Sequence, residues 1–156
     1  MIEAQVLGPD EWRVWRHLRL EALEEAEGAF RATLAQWIGP GDTEERWRAR
    51  LSDVPLNIVL RSDGAPVGMV GARVRKDDTV ELISMWVAPF ARGRGVGDAA
   101  VRAVVCWAGP REVVLHVKPD NEPAIALYER HGFVDAGQSP EAADERLMRR
   151  PQDAAN

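Results

Sequence analysis

The chain has little of several things, and each scarcity excludes a class of protein. Its 156 residues contain one cysteine, Cys106, so no disulfide can form within it. The three histidines, His17, His116 and His131, show no metal-ligand spacing, and no metal is expected. No apolar run approaches the ~20 residues that span a bilayer, and Met1-Ile2-Glu3 lacks the basic-then-apolar start of a secretory signal. The expectation is a cytoplasmic protein with no membrane partner. Basic residues number 20 against 25 acids, a formal net charge of −5. They are mostly interspersed with acids, as Arg46, Arg48 and Arg50 are with Glu44 and Glu45, so no nucleic-acid surface is expected. One local exception stands out: Arg92 and Arg94 lie in a stretch from Val87 to Gly97 that has no acid.

What is present is ordinary globular composition, 46% hydrophobic and 29% charged. The length fits one domain over residues 1–156, with 151–156 as a flexible tail. A chain of this size buries roughly 70% of its unfolded surface, enough for a core without staples.

The hydrophobic pattern sets the order of elements. Ile2 to Leu7 reads as a strand, and Gly8-Pro9-Asp10 punctuates it. Trp12, Trp15, Leu18, Ala22 and Ala26 recur at helical spacing, up to Gly28. Phe30 to Asp42 has no clear period, and Gly39-Pro40-Gly41 breaks it. Thr43 caps a short helix carrying Arg46 to Leu51. Strands follow at Leu56–Leu60, Val67–Val74 and Val80–Val87, joined by turns too short for anything but antiparallel pairing. Then comes helix Gly95–Ala108, strand Val113–Val117, and helix Glu122–His131 closed by Gly132 at a left-handed position. Phe133–Ala136 and Glu145–Arg149 read as final strands. Antiparallel strands followed by strand–helix–strand units make an α/β (α+β) fold with a mixed sheet.

The chemistry concentrates between Glu81 and Phe133. Gly93, Gly95 and Gly97 let backbone approach an anion, the next helix aims its free N–H groups at the same place, and Arg92 and Arg94 add charge. That combination suits a pyrophosphate. Two rival motifs fail: a P-loop needs Lys-Ser/Thr after its last glycine, where Asp98 stands, and the dinucleotide fingerprint G-x-G-x-x-G, begun at Gly93, meets the same Asp98. What remains is R-x-x-G-x-G at Arg92, Gly95 and Gly97.

In this stretch the chain resembles the GNAT superfamily of N-acetyltransferases. Arg92-Gly93-Arg94-Gly95-Val96-Gly97, after an apolar strand and Pro89, looks like the family's pyrophosphate loop. Asn121, Ala124, Leu127, Tyr128, Gly132 and Phe133 match its N-x-x-A-x-x-L-Y-x-x-x-G-F pattern. The resemblance is specific over residues 80–133 and general elsewhere. It implies a mostly antiparallel mixed sheet with two central parallel strands, those ending at Val87 and Val117, splayed apart and flanked by helices. It also implies acetyl-CoA as cosubstrate. Its pantetheine arm would pair with Met85, Trp86 and Val87, its pyrophosphate would lie on Arg92, Gly93, Arg94, Gly95, Val96 and Gly97, and Asn121 and Ala124 would line the arm's other side. Direct transfer of an acetyl group to a primary amine is the implied reaction.

The reaction needs a proton acceptor for the amine, a donor for the oxyanion and an acid for the departing thiolate. Tyr128, the sole tyrosine, reads on its spacing alone as an aromatic packing residue near a helix end, but it sits where the family places the acid, which makes it the candidate for that role. Glu81 is a carboxylate within an apolar strand, which is costly unless paired or wet. It is the candidate base, with an arginine-paired or strand-end charge as the other reading. Ser84 could position a water, and His116 is either a further base or a satisfied core residue. Cys106, between Val105 and Trp107, reads as a buried structural thiol rather than a nucleophile. Trp12, Trp15, Trp47 and Trp107 read as core. Trp37, with Phe30 nearby, reads as core or as acceptor wall. The acceptor is expected to be a small-molecule amine, with a protein N-terminus or lysine as alternative. A non-catalytic acyl-CoA-binding module is the rival class. A homodimer fits the family, but no interface is marked in the sequence.

Overall fold

A computed structural model describes residues 1–26, 28–30 and 32–152; most of the expected tail, residues 153–156, lies outside the described residues. Seven strands form one sheet: β1 (Ile2–Val6), β2 (Leu56–Ser62), β3 (Ala65–Val74), β4 (Val80–Val87), β5 (Val113–Val117), β6 (Val134–Gln138) and β7 (Arg146–Arg150). Their order is β1-β2-β3-β4-β5-β7-β6, antiparallel throughout except for the β4–β5 pair. Five α-helices accompany them: α1 (Trp12–Glu25), α2 (Leu34–Trp37), α3 (Glu44–Asp53), α4 (Val96–Ala108) and α5 (Glu122–Arg130). The segment without a clear period thus holds one short helix, α2, and a 3-10 turn at Gly39–Gly41.

The central strands β2, β3 and β4 are covered on both faces, which is why they read as continuous apolar runs, while the edge strands β1 and β6 are largely exposed. Period-two alternation divides the core. Leu56, Ile58 and Leu60 of β2, with Val70 and Ala72 of β3, face a cluster built with Val96, Ala100, Val101 and Val104 of α4. Val59 and Met69 face the opposite way, against Trp15 and Leu18 of α1 and Trp47 and Leu51 of α3. Trp15 and Trp47 are fully buried. Trp12 and Trp107 are only partly covered.

Thr43 caps α3 as expected, its Oγ1 accepting from the Arg46 N–H at 3.2 Å. Asp42, just before it, ties two helices together: it accepts from Arg16 Nε of α1 at 2.8 Å and from Trp47 Nε1 of α3 at 2.8 Å. Those hydrogen bonds, the Arg16 one foremost, hold the Asp42 carboxyl down at about 2. Trp37 does not reach the cleft described below. It stacks on Trp47 with ring centroids 4.3 Å apart, and the Arg46 guanidinium covers its ring at 3.6 Å. Cys106 departs from its sequence reading and is exposed. The buried positions of α4 are Val96, Ala100, Val101, Val104 and Ala108, and a helical period of 3.6 puts residue 106 on the opposite side.

A candidate acyl-transfer cleft

One irregularity in β4 organises the site. Before Ser84, the even residues Val80 and Leu82 join the α4 cluster; after it, the odd residues Met85 and Val87 do, while Trp86 turns to the α1/α3 side. Ser84 sits at φ +57°, and the register against β3 shifts between Met69 and Gly71. Both are marks of a β-bulge, in which one extra residue inverts the alternation and bends the strand. A left-handed serine is strained. Its hydroxyl accepts from Arg50 Nη2 of α3 at 3.2 Å, a contact that holds the bulge from the α3 side.

The parallel pairing of β4 with β5 covers only Val80↔Val113 and Glu81↔Val114. Beyond Glu81 the two strands part, leaving the β4 backbone without a ladder partner on that side. A cavity of about 1100 Å³ opens there, walled by both strands, the loop before α4, α5, and residues of α1 and α3. Because the strands part, the cavity passes from the α4/α5 face of the sheet to the α1/α3 face.

On the α4/α5 side the cavity meets the glycine loop. Gly95 is the N-cap of α4 at φ +86°, a conformation that side chains with a Cβ seldom adopt. Gly93, Gly95 and Gly97 line the cavity, and the first turn of α4 brings its unpaired N–H groups there. Gly97 serves a different need: a Cβ there would lie 3.0 Å from Leu127 Cδ2, so its absence lets α4 and α5 converge. Val96, expected with the glycines at the pyrophosphate, points away into the core, 1% exposed, and is not part of the cavity wall. Arg94 is exposed and is not part of the cavity wall. Arg92 is, with its Nε donating to the Val87 carbonyl at 3.0 Å and its Nη2 to Glu25 Oε1 at 2.5 Å. Glu25 also accepts from Trp86 Nε1 at 2.9 Å, so the end of α1 is latched to β4 and to the loop. Those contacts, the Trp86 one foremost, pull the Glu25 carboxyl below its ordinary value.

Met85, Trp86 and Val87 form one wall; Asn121, Ala124, Leu127 and Tyr128 form the other. Asn121 caps α5, its Oδ1 accepting from the Ala124 N–H at 3.3 Å. Tyr128 is 6% exposed, packed edgewise on Phe133 at 5.8 Å, and burial pushes its phenol well above the ordinary value. The phenol therefore stays protonated, and able to donate, throughout the neutral range.

Glu81 lies on the α1/α3 side, only 4% exposed. Arg73, its cross-strand neighbour on β3, donates to its Oε1 at 3.0 Å. His116 lies beside it on β5, with Nε2 3.5 Å from Glu81 Oε2 and without a hydrogen-bond partner among the described residues. The other ring nitrogen, Nδ1, is 2.8 Å from Ser139 Oγ. Glu81, His116 and Ser139 thus form a chain that ends at the cavity. Ser139 carries no sequence signal; it reaches the site only because β6 ends beside β5's neighbour β7. No group of three or more potential metal ligands occurs among the described residues, and none of their helices is long and apolar enough to cross a membrane.

The comparisons agree with this architecture. The PaiA N-acetyltransferase of Thermoplasma acidophilum, solved with coenzyme A, superposes with a TM-score of 0.76 at 15% identity, over 97% of this chain and 99% of that one. An acetyltransferase of the GNAT family from Streptococcus pneumoniae gives 0.72 at 20% identity, over 96% and 98%. In sequence, the mycothiol acetyltransferase of Clavibacter michiganensis is 34% identical over 100 residues, 62% of this chain and 32% of that protein. Such matches span only 21% to 37% of the length of three other relatives. The model of the acetyltransferase (GNAT) family matches residues 13–133. With the parted strands, the bulge and the glycine loop all inside that match, the chain belongs to the acetyltransferase (GNAT) family.

Proposed function

We propose that the protein is an N-acetyltransferase that moves the acetyl group of acetyl-CoA directly to a primary amine of a small molecule. The observation that carries this is the single cavity that crosses the sheet where β4 and β5 part. It joins an anion-binding loop on one face to a buried carboxylate on the other, with Tyr128 in the wall between.

The residues fit acetyl-CoA. The N–H groups of the loop and first turn of α4, with Arg92, suit the pyrophosphate. The unladdered backbone of Met85, Trp86 and Val87 offers the pantetheine amides the pairing that β5 does not take. Asn121 and Ala124 close the arm from α5. Acetyl-CoA supplies the thioester carbon and a thiolate leaving group.

The side chains then divide the proton traffic. Glu81 takes the proton that makes the acceptor a free amine, directly or through water, with His116 beside it to extend the path. A backbone N–H of β4 just past the Ser84 bulge faces the developing oxyanion. Tyr128 returns a proton to the sulfur. Phe30, with Ala26, Ala29 and Ala32, walls the acceptor side, which favours a small acceptor over a protein segment.

The test is release of free thiol from acetyl-CoA with a panel of small amines and short peptides. Fast release with a small amine supports the reading. Release only with peptides would reassign the acceptor class. Coenzyme A binding without release to any amine would favour a binding module.

A further inference from the structure

Three arginines from three elements converge at the acceptor end of the cavity: Arg19 of α1, Arg50 of α3 and Arg73 of β3. Only Arg73 has a carboxylate, Glu81. Among the described residues neither Arg19 nor Arg50 has an ion-pair partner. Arg50 donates Nη1 to Asn57 Oδ1 at 2.6 Å and Nη2 to Ser84 Oγ at 3.2 Å, both neutral acceptors. Arg19 Nη1 is buried with no hydrogen-bond partner among the described residues. Burial lowers each guanidinium to about 10, and for Arg50 the neighbouring charges of Arg19 and Arg73 add to that. Both stay cationic at neutral pH, so two desolvated like charges are held side by side, an arrangement that is costly without an anion between them.

The acids of the cavity wall do not supply that anion. Glu25 is committed to Arg92 and Trp86, Asp98 to His131 and Arg130, and Glu145 is not free either. Meanwhile each guanidinium lies over an aromatic ring, Arg19 over Phe30 at 4.7 Å and Arg50 over Trp15 at 4.9 Å. Those contacts hold both groups in place, and the N–H groups that Asn57 and Ser84 do not take, Arg19 Nη1 among them, are left to donate to an oxyanion such as a carboxylate.

We propose that the acceptor is a small amine that also carries a carboxylate, an amino acid, whose carboxylate is held by Arg19 and Arg50 while its amine faces Glu81. This rests on the acyl-transfer reading above and narrows its substrate class. Uncharged amines and polyamines would leave the arginine pair uncompensated and be poor acceptors.

The test uses matched product analogues on the full chain. N-acetyl derivatives of glycine, alanine, phenylalanine and glutamate are titrated by calorimetry, with and without coenzyme A, against the corresponding N-acetyl amino-acid amides. At least one acid is expected to bind tenfold or more tightly than its amide, and R19Q to bring that acid down to the level of the amide. Equal binding of every acid and amide by the unmodified chain would overturn the proposal without need of a variant. So would a preference that persists in both R19Q and R50Q. Loss of coenzyme A binding alone would count against the acyl-transfer reading, while the acid-to-amide ratio, read also without coenzyme A, would still decide the carboxylate.

Discussion

Tyr128 and Glu81 lie on opposite faces of the sheet, and one cavity is lined by both, which is what the proposed division of proton transfer needs. Tyr128→Phe removes the proposed proton donor and keeps the ring packed on Phe133. It is expected to lower kcat by about 10²-fold with coenzyme A affinity unchanged, as read by steady-state kinetics beside calorimetry. Equal loss in both would make Tyr128 a packing residue. Glu81→Gln leaves Arg73 a hydrogen-bond acceptor but removes the proposed base. Its rate should fall most below the pKa of the amine, where the acceptor is ammonium, and recover as pH rises; a loss that is flat across pH would mean a structural role. Both residues were legible in the sequence, one by its motif and the other as a carboxylate in an apolar strand. Arg19 and Arg50 were not. Their meeting depends on contacts between residues far apart in sequence, and no local pattern marks an arginine that will lack a carboxylate. Ser84 was noticed as a polar residue, but nothing in a serine foretells a positive φ.

At the scale of elements, the bulge, the glycine loop and the Asp42 latch each fix one part of the cleft. Gly97→Val would press its side chain against Leu127 and force α5 away from α4, widening the cleft proposed to hold the pantetheine arm. Coenzyme A affinity should drop at least tenfold while the chain still folds, measured by calorimetry and circular dichroism. Asp42→Asn removes charge-assisted hydrogen bonds between α1 and α3 and should cost about 1–3 kcal/mol in urea unfolding. The sign of its pH dependence follows from the depressed carboxyl. The stability it contributes is fully present above the ordinary value near 4 and is lost as pH falls through about 2. The difference between the variant and the parent should therefore shrink across that window. Element order and most boundaries were legible because the central strands are buried on both faces and the turns are short. The stretch from Phe30 to Asp42 was not, since α2 has four residues, too few to show a period. Cys106 was misread for a related reason: its two apolar neighbours in sequence say nothing about which side of α4 it occupies.

The whole molecule is a sheet opened at its centre, with the glycine loop on one face and the Glu81 and arginine cluster on the other, the faces proposed for cofactor and acceptor. The motifs that revealed the family all belong to the first face, because a shared cosubstrate imposes a shared loop. The acceptor face is built from α1, α3 and β3, where the sequence shows no such signature, and it therefore yields its chemistry only in three dimensions. That face decides what the protein acts on. The most direct measurement is thiol release from acetyl-CoA, with the product identified by mass spectrometry, for amines and for amino acids at matched concentration. A gain of one acetyl group on the acceptor amine, dependent on Glu81 and Tyr128, is the expected result. Tight coenzyme A binding with no acetylated product from any amine would contradict it and leave the cleft a binding site alone.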